Sequence, residues 1–331
     1  MNRSICGFLL VLLVLAAAAP LSAKRGFGVP DVSTGRGFSV PDDYAGREPF
    51  VVSAAWLAEH LNDKDLVLLH IGVRAEFDAA HIPGAQFIDN AAISTPRGEG
   101  LMLQIPSVEQ LKEAFEIRGV SDNSRIIVYF GKDWVTPTAR VFLTLEYFGL
   151  GDRTSLLDGG QPAWVAANHP VTTEVKQPAR GSLTPRPRPD TIADVAWVAA
   201  HLQDPSVTIV DARNTSFYNG EPGGFTRGGH IPGAVSIPFG SLTESETSDK
   251  LKDPAALKEI FLAAGVKPGA TVVTYCHIGQ QASFVYFVAR LLGFNARLYD
   301  GSFEEWSQRP DLPVETPKSI PEEHDDRKES S

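Results

Sequence analysis

Cys276 stands where a β-branched run, Val272-Val273-Thr274-Tyr275, gives way to a short polar loop, His277-Ile278-Gly279-Gln280-Gln281. A thiolate is a strong nucleophile and attacks sulfur without a metal or an organic cofactor. The run before it reads as a buried strand. From Ala282 onward, Phe284, Phe287, Val288, Leu291 and Leu292 recur at helical spacing. A strand, a tight loop and a helix aim main-chain N–H groups at one point beside a helix N-terminus, where an anion is stabilised. The spacing therefore predicts a thiol pKa that falls from about 8.5 toward roughly 3.5–7.5.

A cysteine at a strand end can also be a small buried hydrophobe. Counting argues against that. The chain of 331 residues has 2 cysteines, Cys6 and Cys276, and Cys6 lies in a segment that reads as a processing signal. Arg3 gives that segment a positive start, Ile5 to Ala19 are apolar, and Leu21-Ser22-Ala23 offers small residues for cleavage before Lys24. The apolar run is short for a membrane span, which takes about 20 residues. The expectation is a signal over 1–23 and an exported protein, periplasmic if the source is Gram-negative. One thiol in an oxidising compartment is a liability unless it has a task.

Composition narrows the partners. Hydrophobic residues make up 43% and charged ones 21%, as in a soluble globular protein. The formal net charge of −10 argues against nucleic acid or an anionic membrane surface. A small anionic substrate stays compatible with it. The 8 histidines are scattered and Cys276 has no cysteine neighbour, so no metal is expected.

The elements that must position Cys276 come from a repeat. Trp56-Leu57-Ala58-Glu59-His60-Leu61 matches Trp197-Val198-Ala199-Ala200-His201-Leu202, 141 positions on. His81-Ile82-Pro83-Gly84-Ala85 matches His230-Ile231-Pro232-Gly233-Ala234 at an offset of 149. Leu157-Asp158-Gly159-Gly160 with Trp164 matches Tyr299-Asp300-Gly301-Ser302 with Trp306 at 142. Ordered matches at a nearly constant offset mean two copies of one domain. In each, buried strands alternate with helical patterns, predicting a parallel sheet covered on both faces, with ligands at the carboxyl ends of its strands. The reading is a leader over 24–48, domains over 49–172 and 191–312, a Pro- and Arg-rich linker over 173–190 and a charged, disordered tail over 313–331. Aligning the central strands sets Phe130 opposite Tyr275 and Gly131 opposite Cys276, so the first copy lacks a nucleophile. Arg213 to His230 is ten residues longer than Arg74 to His81, and this insert, with Glu221, Pro222, Gly223, Gly224 and Arg227, is expected to meet substrate.

Asp211-Ala212-Arg213, Gly229-His230-Ile231-Pro232-Gly233-Ala234, the loop opening at Cys276 and Tyr299-Asp300-Gly301-Ser302 with Trp306 together resemble the tandem-domain sulfurtransferases of the rhodanese family, from about Val51 to Arg309. The resemblance implies an α/β fold of two tandem rhodanese-like domains, each a mainly parallel sheet flanked by helices on both faces. It implies that Cys276 takes sulfane sulfur from a small anionic donor, holds it as a persulfide and passes it to a thiophilic acceptor, as a monomer without cofactor. It implies that Arg213 binds the donor; Arg227 is a candidate second contact, and His277, Ile278, Gly279, Gln280 and Gln281 form the substrate loop. His81 and His230 open matching turns and read as structural, with His81 able to border the cleft. Asp300 is expected to hold its own turn. The loop departs from both familiar variants: only His277 could carry charge after the cysteine, and Ile278 stands where the mercaptopyruvate-using type has a hydroxyl. Thiosulfate is the expected donor, with 3-mercaptopyruvate, or a persulfide carrier without turnover, as alternatives. A cysteine phosphatase would need an arginine where Ala282 stands.

Overall fold

The computed structural model describes residues 50–316 except Arg97, Asp133, Trp134 and Glu246. The expected signal and leader, and the expected tail from Pro317 on, lie outside the described residues.

The first half runs β1 (Val51–Val52), α1 (Ala54–His60), β2 (Leu66–Ile71), α2 (Arg74–Ala79), β3 (Gln86–Ile88), α3 (Val108–Glu116), β4 (Arg125–Phe130), α4 (Val135–Phe148), β5 (Thr154–Leu157) and α5 (Gly160–Ala166). The second runs β6 (Ile192–Ala193), α6 (Val195–Ala200), β7 (Val207–Asp211), α7 (Thr215–Tyr218), β8 (Val235–Ser236), β9 (Thr243–Ser245), β10 (Ser248–Leu251), α8 (Pro254–Ala263), β11 (Thr271–Tyr275), α9 (Gln280–Leu291), β12 (Asn295–Tyr299) and α10 (Ser302–Gln308). Each half holds a parallel sheet, ordered β1-β5-β4-β2-β3 and β6-β12-β11-β7-β8. The small antiparallel pair β9–β10 belongs to the second half alone. Ser53 and Asp194 cap the matching helices α1 and α6, accepting from Trp56 and Trp197.

Alternation along the strands sorts the core into three parts. Ile126, Val128 and Phe130 of β4 face an inner core built by both halves, while Ile127 and Tyr129 face an outer core of the first half. In β11, Val272 and the following Cys276 face the inner core, and Val273 and Tyr275 face the second half's outer core. Trp164 and Trp306 seal the outer cores, donating to Pro170 and Pro313 carbonyls at 2.7 and 2.8 Å.

The halves meet along α4 and α9. Phe142 and Phe287 pack edge to face at 4.8 Å, and Phe50 joins them. The buried Glu146 carboxylate accepts from the Tyr286 hydroxyl and from Arg290. The two Asp-Gly turns cross over. Asp158 accepts from the Leu251 N–H at 3.0 Å and Asp300 from the Ile105 N–H at 2.8 Å. Asp300 thus holds the opposite half, not its own turn, and it also pairs with the fully buried Arg140 at 2.7 Å.

Two readings change. Pairing of His70 with Tyr129 in β2–β4 repeats as Asp211 with Tyr275 in β7–β11. The hydroxyls of Tyr129 and Tyr275 accept from the N–H of Ile82 and Ile231, which are counterparts in the repeat. The counterpart of Tyr275 is therefore Tyr129, and Phe130, not Gly131, stands where Cys276 does. Counted from the matched tyrosine to the helix, the first copy has one residue more, Tyr129 to Val135 against Tyr275 to Gln280, and that residue hid the shift. The tail also starts later than 313. Glu315 exchanges main-chain hydrogen bonds with His230 at 2.8 and 2.9 Å, which ties 313–316 to the second half.

Candidate active site

Cys276 closes β11, and three residues later Gly279 turns the chain into α9. Gly279 has φ +88, a left-handed conformation that a side chain disfavours, and a Cβ there would lie 3.2 Å from Arg140 Nη1. The turn brings the Gly279 N–H to 3.2 Å from Sγ. The N–H groups of Ala282, Ile278 and Gln281 also lie near enough to favour the Sγ anion. Helix α9 starts at Gln280, earlier than the apolar spacing from Ala282 indicated, so its first-turn N–H groups form part of the cradle.

The rest of the strand end is pinned from α10. Cys276 donates its N–H to Ser302 Oγ at 3.3 Å, and its carbonyl accepts from Phe303 at 3.0 Å. Ser302 takes φ +50, rare for a non-glycine residue, and its hydroxyl also bonds the Tyr299 carbonyl. In the first half the counterpart is Gly160, whose missing Cβ leaves room for the Phe130 ring.

Burial pushes the Cys276 thiol above its ordinary pKa, and the N–H groups of Ala282, Ile278, Gly279 and Gln281 offset this only in part. The expected fall is therefore not found. The Gly279 N–H bond to Sγ is in place, but the residue is 1% exposed and loses the hydration a thiolate needs. Burial first, then the Arg213 charge, also lowers His277, so the loop's imidazole is neutral near pH 7.

Cys276 nevertheless borders open space. Cys276 lines a cleft of ≈ 630 Å³ with His277, Ile278, Gln280 and Gln281. The remaining walls are Phe239, Thr247 and Asp249 from the second half and Lys132, Val135 and Thr136 from the first. Gln280 spans the seam, accepting from Asn90 at 2.9 Å and donating to Thr136 at 3.4 Å.

Both arginines of the sequence reading are engaged elsewhere. Arg213 is fully buried and grips Asp211 through Nε and Nη2, at 2.9 and 2.6 Å, with a further bond to the Gly229 carbonyl. Its guanidinium lies 4.1 Å from the Phe303 ring centroid. Asp211 also accepts the Tyr275 hydroxyl at 2.7 Å, so this network braces the strand ends beneath Cys276. Arg213 Nη1 has no hydrogen-bond partner among the described residues, yet the side chain does not line the cleft. Arg227 spends its donors on the carbonyls of Ser307, Leu312, Trp306 and Arg309, closing the C-terminal end of α10. The insert carrying it does not line the cleft; Phe217 and Phe225 pack against the His277 ring instead. His81 is buried, stacked on Phe77 and bonded to the carbonyls of Phe77 and Glu174, away from the cleft. His230 repeats that arrangement on Tyr218.

In the first half, His70 replaces Asp211 and Gly72 replaces Arg213. Neither His70 ring nitrogen has a partner among the described residues, and burial lowers the pKa to about 4. With Phe130 in the nucleophile's place and His70 behind it, the described residues of that half set no thiol at the strand end. Lys132, Thr136, Thr247 and Asp249 were not found from sequence, because no local pattern marks a residue brought to Cys276 from the other half or from a hairpin.

Two segments, 53–167 and 194–309, each match the Rhodanese-like domain family. The chain belongs to the rhodanese family. It is 30% identical to a thiosulfate sulfurtransferase of Azotobacter vinelandii, over 81% of this chain and 97% of that one. It is 30% identical to a 3-mercaptopyruvate sulfurtransferase of Escherichia coli, over 81% of this chain and 98% of the other. A solved 3-mercaptopyruvate sulfotransferase from Escherichia coli superposes with a TM-score of 0.69 at 27% identity, covering 77% of this chain and 99% of that one. The molecule is a tandem-domain rhodanese sulfurtransferase, with a second copy that carries the thiol and a first that does not.

Proposed function

We propose that this rhodanese moves the sulfane sulfur of thiosulfate to cyanide or a thiol through a Cys276 persulfide. The observation carrying this is Cys276 at the wall of a cleft, its Sγ accepting the Gly279 N–H and further main-chain N–H groups favouring its anion. The thiolate attacks the sulfane sulfur, the S–S bond of thiosulfate breaks, and its electron pair leaves with sulfite. The thiol proton goes to sulfite or solvent. The resulting persulfide is again an anion, and the same N–H groups serve it. An acceptor then attacks the outer sulfur and returns the Cys276 thiolate.

Thiosulfate is preferred over 3-mercaptopyruvate because the apolar Ile278 lines the cleft where a loop hydroxyl would be needed. Export, supported by the N-terminal apolar segment, also favours an inorganic sulfur anion.

The test compares kcat/KM for the two donors with cyanide or a thiol as acceptor, which measures the difference in transition-state binding. Thiosulfate should win, and Cys276→Ser should abolish turnover with both. A Cys276→Ser protein at wild-type rate removes the nucleophile assignment. Persulfide loading without steady-state sulfite release identifies a carrier instead.

A further inference from the structure

We propose that Lys132, donated by the half that lacks the nucleophile, is the cation that seats the anionic donor over Cys276. This rests on the sulfurtransferase reading above and names the group that binds its substrate.

A donor such as thiosulfate carries two negative charges into a cleft whose wall already holds Asp249. Some cation must offset that charge. The arginines that the sequence offered are occupied: Arg213 is locked to Asp211, and Arg227 to the end of α10. Arg140, behind Gly279, is fully buried against Asp300. His277 faces the cleft but is held neutral. Among the described cleft residues this leaves Lys132, which is exposed.

Its placement follows from the duplication. Lys132 follows β4 of the first half and lines the same cleft as the residues that follow β11 of the second. Gln280 ties the second half's loop to Asn90 and Thr136 of the first, so the packing of the halves brings Lys132 and Cys276 to one cleft. An ammonium on a flexible stem suits a tetrahedral oxyanion that changes position as its S–S bond breaks; a planar fork is not required. As the thiolate takes the sulfane sulfur, sulfite leaves with the bonding pair, and the lysine charge faces both the bound donor and the departing dianion. The first copy has lost its nucleophile and kept a role in binding.

The test measures kcat and KM for thiosulfate in Lys132→Ala, Lys132→Gln and Lys132→Arg. The Ala and Gln variants should raise KM about tenfold, the scale of one charge-assisted hydrogen bond, with kcat within about threefold. Arg should recover most of the loss, and the salt dependence of kcat/KM should flatten in the Ala variant. The KM for cyanide should hold. A second arm needs no turnover: sulfite binding to Cys276→Ser protein, by calorimetry, with and without Lys132→Ala. Affinity should drop about tenfold. Equal affinities, no binding to either protein, or an unchanged KM overturn the proposal. A wild-type protein that binds sulfite through Lys132 but does not turn over thiosulfate sinks the donor assignment and leaves the cation standing.

Discussion

At Cys276 two opposing effects act on one sulfur atom. Neighbouring main-chain N–H groups favour the thiolate, and full burial disfavours it more. The sign follows: with the pKa above the ordinary value, the thiolate fraction keeps growing as pH rises through neutrality, about tenfold per pH unit below the pKa. Alkylation of Cys276 by a small neutral electrophile should therefore accelerate with pH and show no plateau at or below about 8.5. A plateau near pH 6 or 7 would mean that the dipoles win. The same burial has a chemical use. A thiolate formed in a site poor in water gives up little hydration when it attacks.

The loop between β11 and α9 is four residues long, and its geometry depends on Gly279. A methyl group there meets an unfavourable φ and the Arg140 guanidinium together. Gly279→Ala should cost about 1–3 kcal/mol of stability, the scale of a strained backbone conformer. It should also lower kcat/KM by about 10²-fold, because the N–H at 3.2 Å from Sγ is carried off its line. Melting temperature and steady-state kinetics read the two effects separately. Retention of the wild-type rate would show that the remaining donors suffice. Helix α10 supplies the complementary constraint: Ser302 and the N–H of Phe303 hold the main chain of Cys276 from the other side.

The whole molecule is held by one inner core and by crossed Asp-Gly turns, so the halves should unfold together. The two turns are not energetically equal. Asp300→Ala strands Arg140 as a buried cation with its Asp300 partner removed, and should cost about 3–5 kcal/mol. Asp158→Ala removes the matching bond to Leu251 and leaves no stranded charge, so about 1 kcal/mol is expected. Denaturant midpoints of the two variants check this. Equal losses would mean that Arg140 finds another partner. The asymmetry suits the division of labour, since the stronger tie lies beside the cleft.

Much of this was written in the chain. Short β-branched, apolar runs gave the strands, the repeat gave two domains, and the switch from Tyr275 to the Gly279 loop marked the nucleophile, because each is a local or periodic pattern. The family motifs were legible for the same reason. Side-chain destinations were not. Arg213 and Arg227 looked like anion binders because guanidinium chemistry fits anions, but whether a guanidinium meets a substrate, a carboxylate or a helix end depends on what packs against it. The burial that raises the Cys276 pKa comes from an inner core that both halves build. Lys132 enters the cleft only because α4 and α9 pack with their loops on the same side. The sequence by itself determined the fold, the repeat and the reactive atom, which are local or periodic properties. The tertiary structure alone decided which charges face that atom, because it sets distances between residues far apart in the chain.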